Sequence, residues 1–333
     1  MSQIQDAKTL VQAHYNALAH ATPSTVVQIL SERMNDEALW RGYHPYDLQT
    51  GPAGAALFWK AFLTSFSAVQ RREDIFFAGL NEIDGGASVW TGSMGHLLGL
   101  FDAPFLNIPA TRKIAMLRYA EFNKVENGQI TETAFYCDFL HLMAQAGIRR
   151  FPSQTAAHLV QPGPRTCDGL LIGPHDPAEG AKTLALIDRM AKGITSANAD
   201  PAARTPAEEM AENWHDDMLW WGPEGVGSTY TIDRYIEQHQ GPFRNLMSNR
   251  VFNGHVMRIG EGNYGGFFGW PNLTITNDGG YMGVPANDVR ADMRVIDIYR
   301  RDGEKLAENW VFIDMLHFLL MQGVDVLGEL EGN

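Results

Sequence analysis

Two aspartates occupy matching positions near the ends of the two halves of this 333-residue sequence. Asp138 begins the segment DFLHLMAQAG and Asp314 begins DMLHFLLMQG, and each is followed three residues later by a histidine, His141 or His317. A carboxylate at the end of a buried strand must find hydrogen-bond partners, face a cavity or take up a proton. In an apolar cavity its basicity rises and it can act as a general base. The two aspartates are therefore candidate catalytic residues.

A structural role is open for the same two aspartates. Each precedes a short segment with helical spacing, where its oxygens can accept hydrogen bonds from the N–H groups of the first helical turn. The capping role and the general-base role do not exclude each other. The D-x-x-H spacing offers too few ligands for a zinc site. We therefore expect neither a metal nor a cofactor.

The strands that lead into the aspartates determine which side chains accompany them. Side chains alternate along a strand, so Trp310, Phe312 and Asp314 share one face, and Tyr136 and Asp138 share the corresponding face in the first half. The opposite faces are mostly apolar too, which predicts strands that are buried on both sides. Each strand follows another across a tight polar turn, ENG or DG, a pattern typical of a β-hairpin.

The similarity between the halves extends upstream of the aspartates. The segments NIPAT and GVPAN align at the same offset as the aspartates, and so do Arg118 and Arg294. Farther upstream, LWRG with Trp40 matches LWWG with Trp220. The matches keep their order through both halves. We infer a tandem duplication of one domain.

The boundaries of the two copies follow from composition and periodicity. Proline and glycine are concentrated at residues 151–177, which predicts a connector between a first copy at 1–150 and a second at 178–333. Each copy starts with an amphipathic helix, over about residues 4–19 or 178–196. Helices precede antiparallel strands in both copies, which is typical of the α+β class.

Composition excludes several classes of function. The formal net charge of −13 argues against a nucleic-acid-binding protein, because phosphate contacts need an excess of Lys and Arg. Two cysteines are too few for a disulfide framework. Neither a signal-peptide pattern nor a run of 18 apolar residues is present in the sequence, so we expect no membrane association and a cytoplasmic location.

The second copy resembles the SnoaL-like polyketide cyclases. Its segment GGYMGVPANDVRADMRVIDIYRRDGEKLAENWVFIDMLHFLLMQG is similar to their C-terminal half, with a G-x-x-x-G-[IV]-P segment, a DG turn and E-x-W-x-x-x-D. The final helix ends Q-x-G in the family, and Gln322-Gly323 stands at that place here. The first copy matches less fully, because Ala134 stands where the tryptophan is found. The resemblance implies two cones of curved antiparallel sheet, closed by helices, of the nuclear transport factor two superfamily.

The resemblance also implies roles for particular residues. The aspartate after E-x-W is the family's base, which corresponds to Asp314 and to Asp138. The family commonly carries a histidine before the DG turn, and this sequence has Tyr299 and Asn123 there, both of which can donate to a developing oxyanion. We expect Asp314 to face an apolar cavity. The expected substrate-binding residues are Trp310, Phe312, Tyr136, Trp220, Trp40, His317 and His141.

The sequence thus predicts a cofactor-independent, cyclase-type enzyme that acts on a small hydrophobic carbonyl compound. A cofactorless isomerase, dehydratase or hydrolase would use the same cavity, and a non-catalytic small-molecule-binding module is a further alternative. The sequence alone leaves open whether the chain is an enzyme. Because sheets of this superfamily often form dimers, we expect the two copies to pair within the chain as a pseudo-dimer, with a homo-oligomer as a further option.

Overall fold

The computed structural model of the chain describes residues 2–151, 156, 162–199, 204–281 and 284–331. Met282 and Gly283 of the predicted motif, and most of the connector between residues 151 and 162, lie outside these ranges. The elements of the first copy are α1 (Gln3–Leu18), α2 (Val26–Ser31), β1 (Met34–Gly42), β2 (Leu48–Thr50), α3 (Gly51–Ser65), β3 (Phe66–Leu80), β4 (Val89–Phe101), β5 (Ile114–Glu126), β6 (Gln129–Cys137) and α4 (Phe139–Gln145).

The second copy repeats this order with more breaks. Its elements are α5 (Pro177–Ala199), α6 (Pro206–Asn213), β7 (Trp214–Trp221), β8 (Ser228–Tyr230), α7 (Ile232–Tyr235), a π-helical turn (Ile236–Gln240), α8 (Gly241–Leu246), β9 (Ser248–Phe252), β10 (Met257–Glu261), β11 (Tyr264–Thr276), β12 (Arg290–Asp302), β13 (Lys305–Ile313), α9 (Met315–Met321) and a 3-10 turn (Gly328–Leu330). In the described ranges, no helix is long and apolar enough to span a membrane.

The two sheets have the same strand order. The first runs β2-β1-β6-β5-β4-β3, and the second runs β8-β7-β13-β12-β11-β10, with β9 also paired to β11. Both predicted hairpins are present, as β5-β6 and β12-β13. Only the pairs β1-β6 and β7-β13 are parallel among the pairings of named strands. The predicted fold class is confirmed: the chain is α+β, with two tandem domains that are each a sheet closed by helices.

The copies differ in the elements that close the sheet. The 15-residue helix α3 of the first copy corresponds to α7, the π-helical turn and α8 in the second. Pro242 cannot donate a hydrogen bond to the preceding turn, and a regular α-helix is therefore interrupted near this residue. Strand β3 is continuous over 15 residues, whereas its equivalent is split into β9 and β10.

The two copies contact each other through the faces of their sheets. Phe268 packs against Trp90 and Phe122, with ring centroids 5.6 Å and 6.1 Å apart. At one edge, the buried ammonium of Lys8 pairs with Glu261 of the other copy. Burying an ion pair costs desolvation free energy, which is offset only when further hydrogen bonds satisfy the charged groups. Here Lys8 also donates to two backbone carbonyls of the connector.

Candidate active site

A cavity of about 840 Å³ lies within the second copy, on the face of the sheet away from the first copy. In the β-ladder, Asp297 stands opposite Val311, and Tyr299 stands opposite Asn309. Residues opposite each other in neighbouring strands share a face of the sheet, and all four of these line the cavity. Its apolar wall includes Met190, Met210, Val226, Phe243, Met247 and Phe318.

Asp297 is the acid at the sheet side of this cavity. The Nδ2 of Asn309 donates to its Oδ1 at 3.0 Å. Desolvation raises the pKa of Asp297 to about 6, although hydrogen bonds with Asn309 and Tyr299 lower it. Part of its surface is open to the cavity. The carboxyl is thus within reach of a ligand and is a stronger base than a carboxylate in water.

Two histidines enter the cavity from the irregular elements of the second copy. His239, on the π-helical turn, stacks on Trp220 with centroids 3.9 Å apart, and burial lowers its pKa to about 3. π-helical turns often occur at functional sites. His239 is therefore neutral at physiological pH, and it can donate or accept a hydrogen bond without carrying a charge.

The second histidine, His255, lies in the break between β9 and β10. It stacks on Phe267, whose cross-strand neighbour is Asp297, with ring centroids 3.9 Å apart. Burial and the charge of Arg258 lower the pKa of His255 to about 3. The NH2 group of Arg258 lies 3.2 Å from its Nδ1. Because a guanidinium can only donate, Nδ1 must accept, and Nε2 then carries the proton.

Asp314 is not among the residues that line the cavity. It caps α9, where its Oδ1 accepts from the backbone N–H of His317 at 3.2 Å. Its Oδ2 accepts from the N–H of His44 in the other copy at 3.1 Å and from Arg294 at 3.3 Å. Burial raises the pKa of Asp314 to about 6, although Arg294 and the two N–H groups lower it. The side chain is fully inaccessible.

Asp138 has the same arrangement in the first copy. Its Oδ1 accepts from the N–H of His141 at 3.0 Å, and its Oδ2 accepts from the N–H of Glu224 in the second copy at 2.9 Å. Arg118 lies 3.8 Å from Oδ2. Each aspartate therefore caps its own helix and also joins its copy to the other. The capping hypothesis is confirmed for both.

The prediction that Asp314 faces the cavity is wrong, because the strand that leads to it turns its other face to the cavity. Trp310 donates to the carbonyl of Pro162 in the connector at 3.0 Å, and Phe312 lies under the guanidinium of Arg118 at 3.7 Å. Tyr136 packs against Trp270 of the other copy. This face of the last strand is covered by the connector and the partner copy, and the opposite face is the one that meets the cavity.

Of the other predicted residues, Tyr299 and Trp220 line the cavity, and His317 and His141 lie at the caps. Trp40 and Asn123 belong to the interior of the first copy. Trp40 is buried among aromatic rings there, and Asn123 donates to Tyr15 at 3.1 Å and to Glu121 at 2.9 Å.

The position of Asp297 in the first copy is held by Glu121, whose surroundings differ. Arg71 of β3 donates to Glu121 at 2.8 Å, and its guanidinium lies between the rings of Tyr15 and Tyr119, at 3.9 Å and 4.5 Å. Phe58 and its aromatic neighbours fill the space beside this ion pair. An arginine and aromatic side chains thus occupy the interior that the second copy leaves open.

Sequence analysis missed Asp297, Asn309, His239 and His255. A signal was present for the first of these, because MRVIDIY places one acid inside an apolar strand, and LRYAEFN places Glu121 at the same offset. An ionisable residue in the middle of a buried strand needs a partner or a cavity. No comparable signal marks the histidines, which lie outside the regular strands.

The donor set does not suggest a metal centre. Across the part of the chain that the structure describes, no group of three or more His, Cys, Asp or Glu side chains could hold a metal ion. The polar groups around Asp297 are an amide, a phenol and neutral imidazoles, which suit an organic ligand that accepts and donates hydrogen bonds.

Comparison with known proteins gives similarity at the level of fold. No protein-family model matches the chain, and no curated protein matches it. A protein from Jannaschia sp. CCS1 described as a SnoaL-like polyketide cyclase is 18% identical over 43% of this chain and 94% of its own, with a TM-score of 0.31. An NTF2-like protein from Burkholderia xenovorans is 9% identical over 43% of this chain and 96% of its own, with a TM-score of 0.34.

A third solved structure, from Xanthomonas campestris pv. campestris and described as a polyketide cyclase, is 21% identical over 44% of this chain and 99% of its own, with a TM-score of 0.35. Each of these structures matches less than half of this chain. The resemblance to SnoaL-like proteins that the sequence indicated is therefore found among solved structures too. It concerns the fold and carries nothing about the reaction.

Proposed function

We propose that the second copy is a cofactor-independent enzyme in which Asp297 takes a proton from carbon next to a carbonyl group of a small, mostly apolar molecule. The observation that carries this proposal is a carboxyl group of raised pKa, open to a large cavity with an apolar wall. With a pKa of about 6, Asp297 is roughly nine-tenths ionised at pH 7.

The neighbouring groups suit the charge changes of such a step. As the proton moves to Asp297, negative charge develops on the carbonyl oxygen of the substrate. Neutral donors aimed at that oxygen stabilise it, and the Nε2–H of His255 is one such donor on the cavity wall. Asn309 holds Asp297 in place. The carbanion can then attack a second carbonyl and close a ring, or it can be reprotonated elsewhere, which is an isomerisation.

The proposal can be tested before the natural substrate is known. The probe 5-nitrobenzisoxazole loses a carbon-bound proton to a general base as its N–O bond breaks, and it forms a coloured phenolate. We expect the wild-type protein to accelerate this reaction and Asp297→Asn to reduce the rate by at least about 100-fold, the contribution of a positioned base.

The matched control is Asp314→Asn. Both aspartates have a pKa raised to about 6, but only Asp297 faces the cavity. The control variant should keep the rate per folded molecule, with folding checked by thermal melting. A rate that survives Asp297→Asn, or that Asp314→Asn abolishes, contradicts the assignment of Asp297. No acceleration by any variant would favour a non-catalytic binding module.

A further inference from the structure

Four positively charged side chains line the cavity. Arg244, Arg250, Arg258 and Lys192 all line it, although the whole chain carries a formal net charge of −13. The cluster is therefore a local feature of the cavity rather than a general property of the surface. Guanidinium groups on a cavity wall are typical recognition groups for carboxylates and phosphates.

Three of these four cations are already paired. Arg244 forms a two-point ion pair with Glu209, with N···O distances of 2.9 Å and 2.8 Å. Arg258 contacts Glu82 and Asp188, both at 3.3 Å, and Lys192 contacts Asp188 at 2.6 Å. Their charges are compensated by the protein itself.

Arg250 differs from the other three. Its NH1 group donates to the backbone carbonyls of Arg244, at 3.1 Å, and Met247. Among the residues included in the structure, no carboxylate forms an ion pair with it. Burial and the charge of Arg244 lower the pKa of Arg250, although the charge of Asp278 raises it, and an arginine remains protonated at physiological pH. The two carbonyl contacts hold the guanidinium at the cavity wall, and the charge of Asp278 acts on it without a direct ion pair.

The position of Arg250 in the sheet separates it from Asp297. Arg250 lies in β9, which pairs with β11, and Asp297 lies in β12 on the other side of β11. Thr274 faces Val251 on one side and Asp292 on the other. Arg250 is therefore level with Ala291, and Asp297 is six residues farther along its strand. With strand spacings of about 4.8 Å and about 3.4 Å per residue, the two backbones are on the order of 20 Å apart.

We propose that the ligand of this cavity carries an anionic group, most simply a carboxylate, which Arg250 binds while the apolar part of the ligand extends toward Asp297. This inference rests on the cavity of the proposed function and specifies the class of its substrate.

A pair of fluorescent probes tests the charge requirement. The dye 8-anilinonaphthalene-1-sulfonate is anionic, and N-phenyl-1-naphthylamine has the same rings without the sulfonate. We expect the wild-type protein to bind the anionic dye more tightly. Arg250→Gln should weaken its binding by roughly tenfold and change that of the uncharged dye less than about twofold, because only the charged hydrogen bonds are lost.

Two further variants keep the test decisive. Arg234→Gln removes the same charge from an exposed position outside the cavity lining, and it should leave both affinities unchanged. Arg250→Lys retains the charge and should keep most of the preference, which separates charge from packing if Arg250→Gln lowers the melting temperature. Equal weakening of both dyes by Arg250→Gln, or no weakening of either, overturns the proposal.

The outcome is independent of the assignment of Asp297. Asp297→Asn should leave the affinity for the anionic dye unchanged or raised, since it removes a negative charge from the cavity, while it abolishes the proton transfer described above. Loss of the dye preference in Arg250→Gln together with unaltered proton transfer in Asp297→Asn would support the anionic subsite and contradict the proposed reaction. The reverse pattern would contradict the subsite alone.

Discussion

The two copies have one strand order and one pair of interdomain aspartates, yet one copy is filled and the other is hollow. In the first copy Glu121 is neutralised by Arg71 and surrounded by aromatic rings. In the second, Asp297 occupies the same place in the sheet, accepts a hydrogen bond from the amide of Asn309, and faces a cavity of about 840 Å³. The same scaffold thus holds a structural ion pair in one case and a candidate base in the other.

The difference arises in the elements that cover the sheet. The continuous helix α3 inserts Phe58 and Phe62 into the first interior, and the continuous strand β3 brings Arg71 beside Glu121. In the second copy the helix is interrupted by the π-helical turn and the strand by the segment that holds His255. Interruptions of this kind remove side chains from the interior and leave room for a ligand.

Arg71→Met should have the largest effect, because it removes the buried ion pair of the first copy. Without the guanidinium, the buried carboxyl group of Glu121 loses its ion pair and keeps the hydrogen bond from Asn123, which is expected to cost about 3–5 kcal/mol of unfolding free energy. Urea unfolding measures this loss. Arg33, which pairs with the 50% exposed Glu32, is the control, and Arg33→Met should cost at most about 1 kcal/mol. Similar losses for the two variants would mean that the buried ion pair contributes little.

A matched pair of phenylalanines should sharpen the contrast between filled and hollow interiors. Phe58 is 1% exposed in the first copy, and Phe58→Ala should cost about 3–5 kcal/mol because it creates a void in a packed core. Phe243 borders the existing cavity, so Phe243→Ala should cost only about 1 kcal/mol. Thermal unfolding of both variants gives the comparison. Equal costs would indicate that the second interior is packed in solution.

The smallest expected effect concerns the pH dependence of stability. The pKa of Asp297 is raised from 3.8 to about 6 in the folded protein, so this group favours folding below about pH 4, and that contribution is lost as the pH rises to about 6. Asp297→Asn should therefore stabilise the protein by about 1–3 kcal/mol above pH 6, and less below pH 4. Denaturant unfolding at several pH values tests this, and a gain that is constant with pH would contradict the shifted pKa.

Much of the molecule could be predicted from the sequence. The aligned segments around Asp138 and Asp314 indicate the duplication, and the ENG and DG turns predict the hairpins β5-β6 and β12-β13. The capping role of both aspartates also follows from sequence, since an aspartate before a short helix satisfies the unpaired N–H groups of its first turn. All of these are local signals, carried by residues close together along the chain.

The candidate site itself depended on tertiary structure. Alternation along β13 determines that Trp310, Phe312 and Asp314 share a face, but not which face meets a cavity, because both faces are apolar. The packing of the partner copy and the connector against one face, and of interrupted helices against the other, settles that choice. The same holds for Glu121 and Asp297: the sequence places both inside strands, and only the fold brings an arginine to one and a cavity to the other. Such contacts join residues far apart in the chain, and local patterns do not encode them.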